Sequence, residues 1–153
     1  MRKGNLSRAM MALSLVIGVL LLAPLASSLP TGIGGSSIQT AGCNCHNSVA
    51  DSSVAANIEG FPEEYNASET YELTISFDGG PSQPGNINLG GFNLWASEGV
   101  FTPTDGLTSL WAGSVNEVVH TEAGNDYTSW VVDWTAPESG KEVDFILHVN
   151  SVN

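Results

Sequence analysis

Cys43, Asn44, Cys45 and His46 form a Cys-x-Cys-His stretch, and its two cysteines are the only thiols in the chain. Two thiols followed directly by an imidazole permit four kinds of chemistry. They can hold a c-type haem, with the thiols bonded to the two vinyl groups and the histidine on iron. The usual spacing has two residues between the thiols, and this stretch has one. With His120 as a fourth ligand they can hold a metal ion through two sulfurs and two nitrogens, a set that suits zinc, or copper in a flatter geometry. They can pair as a disulfide whose small ring would be strained and therefore reducible. They can simply tie down the edge of a domain. Gly42 and Asn44 let the backbone turn tightly enough for any of these.

Hydrolytic or nucleotide chemistry has no comparable signal. The sequence holds no Gly-x-Ser-x-Gly, no nucleotide-binding glycine loop and no His-Glu-x-x-His. Glu63 and Glu64 precede Tyr65 in a polar turn and read as solvated charge. Asn66-Ala67-Ser68 is an N-glycosylation sequon in a polar turn, so Asn66 is a candidate modification site. Of the four tryptophans, Trp111, Trp130 and Trp134 are expected in the core. Trp95 alternates with Phe92 and Leu94 and is expected to face outward, a candidate contact for a partner.

The ends and the charge narrow the compartment and the partners. Arg2, Lys3 and Arg8 form a basic head, and Ala9 to Leu25 is apolar and uncharged. Ala26 and Ser28 fit the small-residue positions of a cleavage site. Residues 1–28 therefore read as a secretory signal peptide, or as an N-terminal anchor if uncleaved. Cleavage would also remove Met1, Met10 and Met11, the only methionines. All sixteen acids lie beyond residue 50, and Lys141 is the only base there. So acidic a surface repels nucleic acid and anionic lipid, which excludes both as partners apart from an uncleaved anchor. A surface or redox partner outside the cytoplasm remains.

Beyond a Gly/Ser-rich stretch at 29–42, expected to be a flexible lead, the hydrophobic period is two. In "TYELTISF", Tyr71, Leu73, Ile75 and Phe77 share one face. Trp130, Val132 and Trp134 do so in "SWVVDW", and Val143, Phe145, Leu147 and Val149 in "EVDFILHV". The same alternation turns His148 away from the core, toward the surface. "SVAANIEG", "GFNLWAS" and "SVNEVVHT" are the other expected strands. No segment after residue 30 shows convincing helical periodicity. Six short strands between turn signals predict an all-β, immunoglobulin-like antiparallel β-sandwich over 43–153.

The order of these pieces resembles the Reelin-type domain, and most closely its prokaryotic relatives, the choice-of-anchor V domains of surface proteins. Gly91, Phe92, Leu94 and Ala96 match a Gly-Phe-x-Leu-x-Ala strand, and Gly99 and Phe101 a following Gly-x-Phe. Val118, His120 and Thr121 match Val-x-His-Thr, and Trp134, Ala136 and Pro137 match Trp-x-Ala-Pro. Phe145 matches a late phenylalanine, and Cys43, Cys45 and His46 an opening cluster. The resemblance spans about residues 41–150. It implies a β-sandwich module of larger surface proteins and no settled activity. It also places His120 as the imidazole that would complete a haem or metal site with Cys43, Cys45 and His46. Two functions are therefore expected: an electron carrier, or a non-enzymatic adhesion module whose cysteines are structural.

Overall fold

In the computed structural model the alternation of side chains forms two sheets that meet face to face. It describes residues 30–42, 49–80, 85, 87–138 and 140–151. The segment 1–29, which includes the expected leader, and the segment 43–48, which holds Cys43, Cys45 and His46, lie outside the described residues.

Eight strands are formed: β1 Val54–Glu59, β2 Thr70–Gly79, β3 Gly90–Ala96, β4 Val100–Pro103, β5 Thr108–Leu110, β6 Glu117–His120, β7 Ser129–Thr135 and β8 Phe145–Ser151. Their order is β1-β2-β7-β4 in one sheet and β5-β6-β3-β8 in the other. Every pairing is antiparallel. The expected all-β sandwich is the observed architecture.

The faces follow the period-two pattern. Leu73, Ile75 and Phe77 of β2 meet Trp130, Val132 and Trp134 of β7 within the first sheet. Phe92, Leu94 and Ala96 of β3 oppose them from the second sheet, with Val118 of β6 and with Phe145, Leu147 and Val149 of β8. Trp130 and Trp134 are each 1% exposed. Burial on that scale removes about 150–250 Å² of apolar surface per ring from water, which makes these indoles the largest single contributors to the core.

Trp95 turns away from this core and is half-buried, as its alternation implied. Trp111 departs from expectation. It lies outside the inter-sheet core, and its indole sits against Gly34. Its position after the three-residue β5 leaves no alternation by which to orient it. That short strand and β4, which ends in Pro103, went unread for the same reason.

The larger difference is at residues 30–42, expected to be a flexible lead. Ser36–Ala41 forms a one-turn helix, α1, with Ile38 buried. The segment crosses the outer face of the second sheet. Gly32 is tight against Val119, and its amide bonds the His120 carbonyl at 2.9 Å. Its glycines allow the backbone to lie directly on the sheet, a close approach that composition alone reads as looseness.

Candidate functional site

Three places in the described residues gather polar or aromatic groups of functional interest. The first surrounds His120. On β6, Val118 points between the sheets and Glu117 and Val119 point the other way, while the His120 ring at the end of the strand packs against Gly91 and brings Nδ1 close to Gly32 of the covering segment. Its ring lies 6.4 Å from Phe92 and 6.5 Å from Trp130, centroid to centroid. The pairing of β6 with β3 stops one residue short of it, at Asn93 and Val119. In place of the next backbone pair, Nδ1 lies 3.1 Å from the Phe92 amide nitrogen and 3.2 Å from the Phe92 carbonyl oxygen. Gly91 has no side chain because a Cβ there would collide with the imidazole. Burial pushes the His120 pKa below its ordinary value, and the Phe92 backbone bond partly opposes that shift. His120 thus closes one end of the sheet.

The second place is the outer face of the β6-β3-β8 sheet, beneath residues 32–42. Glu117 is 3% exposed. Its Oε1 accepts from the Gly35 amide at 2.7 Å and from Asn93 Nδ2 at 2.8 Å, and Oε2 accepts from Gln39 Nε2 at 3.4 Å. A carboxylate taken out of water requires such donors, and charge-assisted bonds are the stronger kind. Asn93, itself buried, has no partner for Oδ1 among the described residues. Directly opposite it across β3 and β8 stands His148, whose Nε2 is also buried without a partner among the described residues.

His148 does face away from the core, as expected, but it is covered rather than open. The covering residue is Gly42, where an added Cβ would lie 3.5 Å from His148 Nδ1. Gly42 immediately precedes Cys43. Cys43, Cys45 and His46 themselves lie outside the described residues. Among the described residues no group of three or more histidine, cysteine or acidic side chains is arranged to hold a metal ion.

The third place is an open groove of about 540 Å³ at one end of the sandwich. One wall is the connection from β1 to β2, and the other is the connection from β7 to β8, which changes sheets. Gly60 starts the first wall with φ +95, where a Cβ would strike the Glu72 carbonyl. Only glycine takes that turn without strain, and it sends Phe61 back over β8. Phe61 then stacks at a tilt on Phe145, 4.4 Å between centroids. Phe145 meets Trp134 edge-on at 5.1 Å, and Tyr65 meets Trp134 edge-on at 5.7 Å. The Tyr65 hydroxyl donates to the Lys141 carbonyl and ties the walls together. Glu63 and Glu64 on one wall and Glu142 on the other form the rim, all exposed, with Lys141 among them.

No periodicity connects Phe61 and Tyr65 to Trp134 and Phe145, so sequence reasoning missed the groove. It treated Glu63 and Glu64 as solvated charge, which they are, without the aromatic floor beside them. Asn66 is exposed just past the groove. Its Nδ2 donates to Glu69 Oε2 at 2.5 Å, and its amide donates to the Tyr71 hydroxyl at 2.8 Å.

No family model matches the chain, and no curated protein matches it. Among solved structures it is similar to the Reelin-N domain of F-spondin, with 23% identity over 63% of this chain and 70% of that one and a TM-score of 0.45. It is also similar to the human F-spondin reeler domain in two fragments. The first shows 22% identity over 63% of this chain and 74% of that one, with a TM-score of 0.45. The second shows 24% identity over 67% and 79%, with a TM-score of 0.44. These neighbours are Reelin-type domains, the kind that the sequence resembles. Among the described residues no helix is long and apolar enough to cross a membrane.

Proposed function

We propose that the protein is a non-enzymatic interaction module that works outside the cytoplasm and holds a partner segment in the groove lined by Phe61, Tyr65 and Phe145. The observation that carries this reading is the groove itself. It is open, its floor joins aromatic residues from both sheets, and Phe61 remains 37% exposed at its lip. Recognition sites are commonly concave, mostly apolar and fringed by a few polar groups. In its finer form the reading makes the chain a Reelin-type surface module related to the choice-of-anchor V proteins. Its leader would end at Ser28, and Asn66 would carry a glycan in a host that can attach one. The test is to pan a displayed peptide library on the immobilised protein. Enriched peptides should lose binding on Phe61→Ala. A library that yields no peptide sensitive to that substitution ends the reading.

A second reading is favoured by the place where the Cys-x-Cys-His stretch begins. Gly42 sits on His148, whose Nε2 is buried and unused among the described residues. If Cys43, Cys45 and His46 hold a haem or a metal ion, His148, which Gly42 covers, joins His120 as a candidate for the remaining ligand. The group would supply redox chemistry, or with zinc a structural clamp. An absorption spectrum and metal analysis of protein exported from a haem-attaching host decide between them. Loss of the signal in His148→Ala, but not in His120→Ala, supports this form. A colourless, metal-free protein ends it.

A further inference from the structure

We infer that the groove takes a basic, apolar peptide segment, one that alternates lysine or arginine with aromatic or branched side chains. This rests on the interaction reading above and specifies its occupant.

Charge is the first argument. Glu63, Glu64 and Glu142 crown the groove from both walls, and all three are exposed. Against them stands Lys141, the only base in the chain beyond residue 8. Among the described residues no other lysine or arginine stands against the acids, so charge around the groove is predominantly negative. Such a field draws cations in and repels an acidic segment.

The aromatic floor is the second argument. Tyr65 and Phe145 are half-buried and Phe61 lies at the lip, so ring surface remains available beside the carboxylates. A cation over an aromatic face gains from the ring quadrupole, and an apolar side chain gains by covering what is left. The groove thus offers both halves of an amphipathic residue pair something to bind.

The backbone is the third, and it separates a peptide from a free amine. Among the described residues, the main chains of residues 61–64 and 142–143 enter no backbone hydrogen bond. These residues line the two walls, and apart from Pro62, which has no N–H, each keeps an N–H and a C=O with which to bond another main chain. An alkylamine cannot use them.

The test is calorimetric titration of the exported protein with capped Phe-Lys-Phe-Lys-Phe, its glutamine and glutamate counterparts, and hexylamine. The lysine peptide should bind ~10-fold or more tightly than the glutamine peptide, the sum of several exposed charge contacts. Salt at about 0.5 M should close that gap by screening. The Glu63→Gln, Glu64→Gln, Glu142→Gln triple variant should close it as well, without a change in melting temperature. Equal binding of the lysine and glutamine peptides, or tighter binding of the glutamate peptide, overturns the charge argument and leaves the groove reading intact. Hexylamine binding as tightly as the lysine peptide overturns the peptide argument. If no peptide binds, or Phe61→Ala leaves binding unchanged, the groove reading itself fails along with this one.

Discussion

The groove and the outer face of the β6-β3-β8 sheet are built from similar materials and end in opposite states. Each combines acidic residues with aromatic ones and lies beside a glycine that brings the chain in close. In the groove, Glu63, Glu64 and Glu142 stay in water, and the rings beneath them are only partly covered. On the outer face, residues 32–42 close over the acid, and Glu117 is held by Gly35, Asn93 and Gln39. What decides between a surface left open to a partner and one sealed by the chain itself is whether a segment nearby can supply amide donors. Residues 32–42 do so with glycines and one buried Ile38. Nothing among the described residues does so for the groove.

Removing the buried acid should break this comparison most strongly. Glu117→Ala leaves the Gly35 amide and the Asn93 side chain without their acceptor in a buried place. Each orphaned donor costs about 1–3 kcal/mol, so a loss near 3 kcal/mol is expected in urea unfolding. Early proteolysis within 30–42 should accompany it. An unfolding midpoint equal to that of the parent would show that the segment is not held by Glu117.

A pH series gives the next largest effect and is sharper in location. The folded-state pKa of His120 lies below its ordinary value of 6.5 because burial disfavours the charged ring. The unfolded chain therefore takes up the proton first as pH falls. The contribution is complete above about 6.5 and is lost progressively as pH drops below it. His120→Gln should flatten that part of the stability profile, read from urea midpoints between pH 7.5 and 5. A profile with the same slope in both proteins would assign the acid sensitivity to the carboxylates instead.

Neutralising the groove rim should do least to the fold. Single changes at Glu63, Glu64 and Glu142 are expected within about 0.5 kcal/mol of the parent, as for exposed sites generally. A melting shift well beyond that would mean that these acids support the walls. They would then no longer be the open counterpart of Glu117.

Much of the sandwich was legible because burial on one side of a sheet imprints a period of two. Leu73, Ile75 and Phe77, and Trp130, Val132 and Trp134, could be assigned to a face before any neighbour was known. β5 could not, because three residues hold too few alternations. The sites were harder, since each depends on residues far apart in sequence. Gly35 and Glu117 meet across 82 positions, and Phe61 and Phe145 meet across two connections in different sheets. His148 shows the limit well. Its direction followed from alternation, but its burial depended on a segment whose glycines read as slack. The opening stretch from Cys43 to His46 was the clearest chemical signal and lies outside the described residues. The structure adds only that Gly42, the residue before it, lies against His148.

The way residues 30–42 are fastened also determines how the protein meets tension. A pull that enters at Pro30 reaches the Asn125–Pro30 bond first, then the Gly32–His120 bond, the Gly35–Glu117 bond and the turn around Ile38. These attachments are separate and in series, so they give way one after another at low force. Residues 30–42 are therefore expected to peel from the outer face one attachment at a time, ahead of the strands they cover.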